Sequence, residues 1–250
     1  MQPKKIVFLA SNCQSSSWVY NALKTGFSFE AAIIENPISK KTLIRARIKR
    51  IGFLQVLGQI LFSAIIVPLL KIKAKNRREE LVKIYGLDDS PVSNSNIVYV
   101  DSVNDDACKL KLEQLQPDII VVNGTRIISK KILQCTHAIF INMHVGITPL
   151  YRGSHGGYWA LHNKDTANFG TTIHLVDAGV DTGAVIKQVF IQPTQQDNFT
   201  TYPILQTAIG IKAMKEVLQM ALQSELQSYK KEGKGKMYYQ PTIWQYLFGR

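Results

Sequence analysis

Short apolar runs alternate with polar or amphipathic stretches along most of the chain, a pattern typical of an α/β fold. The runs that predict strands lie at 5–10, 29–34, 97–100, 118–122, 138–141, 170–176 and 184–191. The spacing of apolar residues predicts helices at 18–24, 105–115 and 204–226. A chain of 250 residues with 46% hydrophobic residues can bury a full core. We therefore predict a Rossmann-like, mostly parallel sheet flanked by helices.

Polar residues that can carry chemistry follow two of these predicted strands. Asn142 and His144 come directly after 138–141, and Asp181 lies in the loop after 170–176. In open α/β sheets, ligands bind at the carboxyl ends of the strands, so these three side chains are placed where a site is expected. An amide, an imidazole and a carboxylate can together polarise a carbonyl group and move a proton. This set suits acyl transfer without a covalent enzyme intermediate.

The spacing of these residues resembles the catalytic core of the folate-dependent formyltransferases. Asn142 and His144 form Asn-x-His, Pro149 and Gly153 follow, and the Asp-Thr-Gly turn begins at Asp181. The resemblance covers 4–10 and 98–226 and implies the formyltransferase fold, as a single domain over 1–250. It also implies that Asn142, His144 and Asp181 are catalytic and that N10-formyltetrahydrofolate is the co-substrate, with no metal ion.

The same resemblance implies two further groups of site residues. Those expected to bind the folate are Arg126, Ile127, Ile128, Val176, Asp177 and Gly179. Those expected to contact the acceptor are Ser11, Asn12, Tyr151, Arg152, Gly153 and His174. Structural roles compete with some of these assignments. The loop at 126–128 can begin a helix that packs on the sheet, Asp177 can form a turn, and His174 can be a hydrogen-bonded strand residue.

Differences from individual family members narrow the range of acceptors that we expect. The loop at 10–17 contains hydroxyl groups and no glycine, unlike the phosphate loop of glycinamide ribonucleotide transformylase. The residues after 226 are too few for the OB-type domain of methionyl-tRNA formyltransferase, and the regulatory domain of formyltetrahydrofolate deformylase is not expected. The sequence at 151–153 and 158–161 is most similar to amino-sugar N-formyltransferases. We expect a nucleotide-linked amino sugar as the acceptor and no nucleic acid partner.

Three alternatives stay open for the function. The acceptor could instead be a lipid-linked or other small amine, or the enzyme could hydrolyse formyl-folate. A non-catalytic, membrane-associated binding protein on the same fold is the alternative outside the enzymes. The intact Asn142, His144 and Asp181 argue against that last alternative.

Positive charge is concentrated in one segment that the family core does not require. The chain has a net charge of +12, and residues 40–83 contribute +10 of it, with twelve basic and two acidic residues. Within this segment, 53–70 is apolar except for Gln55, Gln59 and Ser63. We predict a helical insertion over 40–90. It can be an interfacial helix at a membrane surface or a helical hairpin that packs on the enzyme or on a second subunit, with a spanning helix as a third alternative.

The remaining features concern location and the end of the sequence. The three cysteines are odd in number and form no CxxC pattern, so reduced thiols are expected. The first strand follows the start too closely for a secretory leader, so we expect a cytoplasmic protein, peripheral at the inner membrane face if the insertion binds lipid. The aromatic tail at 227–250 is expected to pack on the core.

Overall fold

The structure, a computed structural model, describes residues 3–233 and 235–249. Within these residues, seven strands form one main sheet and two short strands pair separately. The strands are β1 (Ile6–Ser11), β2 (Phe29–Glu35), β3 (Ile97–Val100), β4 (Ile119–Asn123), β5 (Ile139–His144), β6 (Tyr151–Gly153), β7 (Gly170–Leu175), β8 (Val185–Phe190) and β9 (Lys236–Tyr238). The helices are α1 (Gln14–Leu23), α2 (Lys40–Ile51), α3 (Phe53–Leu61), α4 (Val67–Lys73), α5 (Lys75–Ile84), α6 (Asp106–Leu115), α7 (Lys130–Leu133), α8 (Gly156–His162), α9 (Tyr202–Leu222) and α10 (Ile243–Phe248).

The main sheet has the strand order β3-β2-β1-β4-β5-β7-β8. Its first five members run parallel, whereas β7 and β8 are antiparallel to their neighbours. Helices α1 and α9 pack on one face and α6 and α7 on the other, so the parallel strands are apolar on both sides. The strand order reverses between β1 and β4, and open α/β sheets form ligand crevices at such a point. The predicted fold class is confirmed.

Two helices differ from their predicted bounds for local reasons. Helix α1 begins at Gln14 instead of 18, because the serines of the preceding loop continue into the helix after the extended residue Cys13. Helix α9 ends at Leu222 instead of 226, because Ser224 adopts a left-handed backbone with a φ of 61°. Apolar spacing does not report polar helix ends, which explains both differences.

Helices α2 to α5 occupy residues 40–84, most of the segment predicted as a helical insertion, and part of this segment packs on the core. A π-helical turn at Phe62–Ile66 joins α3 to α4. The Phe62 side chain is fully buried, and its ring centroid lies 4.8 Å from that of Phe199 and 5.2 Å from that of Tyr246. Helix α5 is fastened by Arg77, whose guanidinium binds the buried Asp197 carboxylate with an N–O distance of 3.0 Å. One face of the insertion is therefore part of the folded core.

The tail connects the insertion to the region of β6. Strand β9 pairs in parallel with β6, and α10 packs beside α3. The Tyr238 ring stacks on Tyr151 and Trp159, with centroid distances of 5.5 and 5.1 Å. The Gln59 amide of α3 donates a hydrogen bond of 2.9 Å to the Gln240 carbonyl. Aromatic stacking and main-chain pairing thus fix the described part of the tail.

Candidate active site

A cleft of about 460 Å³ opens at the carboxyl ends of β4 and β5. This volume falls in the range of roughly 300–1,000 Å³ that is typical of small-molecule sites. The loops after β4 and β7 form two of its walls, and the end of β5 forms its floor. A larger groove of about 950 Å³ lies between the insertion and α8, and its described lining contains none of the three predicted catalytic residues.

The Asn142 amide is oriented by a histidine on the neighbouring strand. Asn142 lies opposite His174 of β7, and its Nδ2 is 3.0 Å from His174 Nε2. The other ring nitrogen, Nδ1 of His174, lies 2.7 Å from the Leu175 carbonyl and donates to it. In the neutral ring, Nε2 therefore accepts an N–H from Asn142. Because a primary amide has two N–H groups, the second can donate to a substrate oxygen.

His144 ends β5 and is also held by the main chain. Its Nε2 lies 2.8 Å from the Tyr151 carbonyl, so this nitrogen carries a proton and donates it. Its Nδ1 lies 3.5 Å from Oδ2 of Asp181. Nδ1 is therefore the nitrogen that can take up or release a proton beside the carboxylate.

The Asp181 carboxylate lies between the two imidazoles. Its Oδ2 accepts a hydrogen bond of 2.8 Å from the Gly153 amide, and its Oδ1 is 3.8 Å from His174 Nε2. Burial alone would raise the pKa of Asp181. The charge of His144, the proximity of His174 and the Gly153 amide together outweigh burial and lower the pKa to about 2. Asp181 is thus ionised at neutral pH and can balance a proton on Nδ1 of His144.

A glycine makes this close arrangement possible. A Cβ atom on Gly146 would lie 2.6 Å from His144 Nε2 and 2.6 Å from the Tyr151 carbonyl oxygen. Any side chain at this position would push apart the hydrogen bond that fixes the His144 ring. The glycine between the Asn-x-His segment and Pro149 is therefore needed for the geometry of the site.

Comparison with known proteins identifies the family of this chain. The formyl transferase family model matches residues 4–218. The chain belongs to the formyl transferase family. Methionyl-tRNA formyltransferase of Trichormus variabilis is 34% identical over 149 residues, which cover 56% of this chain and 44% of that protein. The chain spans less than half the length of the curated methionyl-tRNA formyltransferases it matches.

Solved structures of the same family share the fold. A sugar N-formyltransferase from a Shewanella species aligns with a TM-score of 0.59 and 15% identity, over 94% of this chain and 76% of that one. Glycinamide ribonucleotide transformylase 1 from Symbiobacterium toebii aligns with a TM-score of 0.58 and 16% identity, over 93% and 92%. The chain therefore carries a formyltransferase domain, and the family predicted from the sequence is confirmed.

The residues predicted to bind folate lie on two facing walls of the cleft in this formyltransferase domain. Arg126, Ile127 and Ile128 form one wall, with Ile128 buried and Ile127 51% exposed. Val176, Asp177 and Gly179 form the opposite wall. Asp177 also forms a turn, since its Oδ1 accepts hydrogen bonds from the Gly179 amide and the Thr182 hydroxyl. Asp177 therefore forms a turn, which was its alternative structural role, and it also lines the cleft.

The Arg126 side chain points away from the cleft and fastens its loop. Its Nε donates to the Glu35 carboxylate at 2.7 Å, and its backbone amide donates to the same carboxylate at 2.8 Å. The guanidinium also reaches the carbonyls of Asn36 and Asp101. Glu35 is only 3% exposed, so Arg126 neutralises a buried charge and ties this wall of the cleft to the ends of β2 and β3.

We expect Arg126→Met to lower the free energy of unfolding by about 3 kcal/mol, because a buried carboxylate would lose its charged partner. Urea unfolding at neutral pH measures the change. The exposed Lys130, substituted in the same way, is the control and should change the free energy by less than about 0.5 kcal/mol. Equal effects of the two substitutions would show that the ion pair does not stabilise the loop.

Only some of the residues predicted to contact the acceptor line the cleft. Gly153 and His174 line the cleft. Tyr151 contributes its carbonyl to His144, while its ring is 4% exposed and its hydroxyl donates to Asp165. Arg152 lies in an adjoining pocket of about 250 Å³ that shares Asp181 with the cleft. Tyr151 therefore positions His144 through its main chain, and its side chain packs in the core.

Ser11 and Asn12 lie outside the described lining of the main cleft. They border a separate pocket of about 50 Å³ at the end of β1. Ser15, from the first turn of α1, enters the main cleft instead. The reason is the early start of α1, which turns the first residues of the serine loop away and brings the later ones inward.

The cleft also contains residues that the sequence reasoning did not select. Among them are Ser15, Asn123, Ser154, Pro203 and Thr207. Asn123 ends β4, and its amide donates to the hydroxyls of Ser15 and Ser16. Its position after the apolar run at 118–122 is the signal that could have identified it. Pro203 and Thr207 come from the distant helix α9, and no local pattern indicates their place in the cleft.

Proposed function

We propose that this protein is a cytoplasmic enzyme that transfers a formyl group from N10-formyltetrahydrofolate to a primary amine, with a nucleotide-linked amino sugar as the acceptor. The observation that carries the proposal is the Asp181 carboxylate, held between His144 and His174 and next to the Asn142 amide in one cleft. The charges and donors of this set match the needs of formyl transfer.

The cleft fits a formylated folate in its shape and chemistry. Its two facing walls carry apolar side chains, Ile128 and Val176, beside loops rich in main-chain donors and acceptors. A flat heterocycle with a polar edge needs this combination. The co-substrate supplies the formyl carbonyl group. In this proposal the walls bind the ring system and leave the formyl group near Asn142 and His144.

Asn142, His144 and Asp181 have different roles in the proposed transfer. The second N–H of the Asn142 amide and the Nδ1–H of a protonated His144 donate hydrogen bonds to the formyl oxygen as negative charge develops on it. Asp181 balances the charge of the imidazolium and, through a water molecule, can accept the proton that the attacking amine loses. The same proton is then returned to N10 of the folate as the bond between N10 and the formyl carbon breaks, which releases tetrahydrofolate. Only a neutral amine can attack, so turnover should fall at pH values below the pKa of the acceptor amine.

Two observations support an amino-sugar acceptor. The sequence at 151–153 and 158–161 resembles that of amino-sugar N-formyltransferases, and a solved sugar N-formyltransferase shares the fold over 94% of this chain. The Tyr158 and Trp159 side chains of this motif are buried beside Tyr151. If the motif sets acceptor choice, it acts by placing Gly153 and Ser154 at the cleft.

A second candidate acceptor is the amino group of methionyl-tRNA. The 34% identity to a methionyl-tRNA formyltransferase favours it, as does the net charge of +12, which would attract a polyanion. Most of that charge lies in the insertion, outside the cleft, so we rank this acceptor second.

Acceptor identity is tested by incubating the protein with N10-formyltetrahydrofolate and a panel of amines. The panel contains nucleotide-linked amino sugars, a lipid-linked amino sugar and charged initiator methionyl-tRNA. We expect one nucleotide-linked amino sugar to gain a formyl group, detected by mass spectrometry. Formylation of methionyl-tRNA or of the lipid-linked sugar alone would replace the proposed acceptor. Release of formate at the same rate without any amine would show hydrolysis instead.

A further inference from the structure

The outer face of the insertion is apolar and exposed. Phe53–Lys73 is the single helical segment, among the described residues, that is long and apolar enough to cross a membrane. Its mean hydropathy is 2.1, yet only 22% of its most apolar part is buried. A helix of the protein core would be mostly buried, so the exposure of this one calls for another explanation.

The exposed apolar residues form one stripe along the helix. Phe53 and Leu54 together begin the stripe, and Leu57, Ile60, Ile65, Leu69 and Ile72 continue it. The spacing is three or four residues except across the π-helical turn, where the step from Ile60 to Ile65 is five. The wider π-helical turn accommodates the extra residue and keeps the stripe on one side. At about 1.5 Å per residue the stripe is on the order of 30 Å long.

Basic residues flank the stripe at both ends. Helix α2 exposes Lys40, Lys41, Arg45 and Lys49 before it, and Lys71, Lys73 and Lys75 surround its other end. No acidic residue occurs between Lys40 and Arg78. Three nearby arginines instead contact other parts of the protein. Arg77 and Arg78 bind the 194–200 loop, and Arg50 lies over the Tyr239 ring.

We infer that α3 and α4 lie flat in the headgroup region of an anionic membrane. The stripe enters the lipid, and the flanking cations bind anionic headgroups. This combination of an apolar face with a surrounding positive charge is what such a surface attracts. The inference is independent of the proposed formyl transfer, because it rests on a face that is remote from the catalytic groups.

A second copy of the chain fits the same face less well. In a two-fold dimer the same patch meets itself, so the basic flanks of both copies would come together. No acidic residue within 40–78 would neutralise them. A spanning helix also conflicts with the fold. It would pull Phe62 and Val56 out of the core and break the hydrogen bond between Gln59 and Gln240.

The membrane-facing helix is linked to the catalytic region by the tail. Gln59 on its inner face holds Gln240, and the neighbouring strand β9 pairs with Gly153, whose amide holds Asp181. Docking through the stripe would therefore hold the cleft in a fixed orientation relative to the bilayer. This arrangement gives the insertion a role that the core fold alone does not need.

Cosedimentation with vesicles tests the inference. We expect the full chain to bind vesicles of equimolar phosphatidylcholine and phosphatidylglycerol and not to bind vesicles of pure phosphatidylcholine. High salt should release the bound protein. Substituting Lys41, Arg45 and Lys49 together with glutamine should weaken binding by on the order of 100-fold. This corresponds to about fivefold, or about 1 kcal/mol, for each residue. The same triple substitution at the exposed Lys24, Lys130 and Lys212 is the matched control and should leave binding nearly unchanged.

The apolar stripe needs its own variant. We expect Leu54→Ser with Leu69→Ser to abolish vesicle binding without changing the melting temperature or the turnover of a soluble amine. These side chains are 71% and 59% exposed, so neither supports the core. Leu110→Ser with Phe190→Ser is the control, since these residues are 56% and 51% exposed elsewhere and should not affect binding.

Three outcomes would overturn the inference. The first is failure of the native chain to bind the anionic vesicles. The second is a dimer, seen by sedimentation equilibrium without lipid, that Leu54→Ser with Leu69→Ser converts to monomers. The third is retention of cell-expressed protein in membranes after high salt and alkaline extraction, which would show a spanning helix.

Discussion

Replacing His144 with alanine is expected to lower kcat for formyl transfer by about 10²–10⁴-fold. The Nδ1 atom of His144 lies 3.5 Å from Asp181, and in the proposed mechanism it takes up and releases a proton. His174 cannot replace it, because its Nδ1 is bound to the Leu175 carbonyl and its Nε2 holds Asn142. Steady-state kinetics with saturating N10-formyltetrahydrofolate measure the loss.

His137→Ala is the control for this substitution, because His137 lies outside the described lining of the cleft. It should keep the native kcat. The assignment of His144 fails if the alanine variant retains more than about a tenth of the native turnover. Circular dichroism and folate binding show whether the variant has kept its fold.

Asp181→Asn is expected to reduce kcat by a similar factor of about 10²–10⁴. The substitution removes the charge that faces both histidines but keeps the size of the side chain. Asp181 has a left-handed backbone with a φ of 51°, which asparagine tolerates well, so the loop should stay folded. We expect the KM for the folate to change little. A variant that turned over at the native rate would exclude Asp181 from proton transfer.

The same variant should change the acid stability of the protein. The pKa of Asp181 is lowered to about 2 in the folded chain, against about 3.9 when unfolded. A carboxyl group with a depressed pKa stabilises the fold above its unfolded pKa, and this contribution disappears as the pH falls from about 4 to about 2. We expect the native chain to lose about 2 kcal/mol more than Asp181→Asn over this interval, measured by urea unfolding.

The sequence predicted the architecture because the parallel strands carry a direct signal. The run at 118–122 is apolar at every position after its first residue, as a strand covered on both faces must be. Helix starts gave a weaker signal, since α1 begins with polar serines whose helical state depends on Cys13 and the end of β1. Local periodicity therefore identifies strands more reliably than polar helix ends.

The three residues predicted to be catalytic could be placed in one cleft from the sequence because all of them lie at strand ends or in short loops beside them. The support around them could not. The ring of Tyr151 packs in the core and its carbonyl holds His144, a division that only the path of β6 decides. Arg126 similarly turns to Glu35, a residue 91 positions away in the sequence. Such partners depend on tertiary contacts that no local pattern contains.

The packing of the insertion also depends on tertiary contacts that the sequence pattern does not contain. Its charge and apolar content indicated a helical surface segment, but not which face would be buried. The inner face is set by aromatic residues far along the chain, as Phe62 packs on Phe199 and Tyr246. Once those contacts are known, the exposed stripe becomes a specific surface that can be tested.

The most direct test of the central claim follows isotope-labelled formyl groups from N10-formyltetrahydrofolate in the native chain, His144→Ala and Asp181→Asn, side by side. The account predicts that the native chain moves the label onto the nitrogen of an added amino sugar, and that both variants bind folate but transfer about 10²–10⁴-fold more slowly. Label that appears only as formate, at a rate independent of the amine and equal in all three proteins, would contradict it.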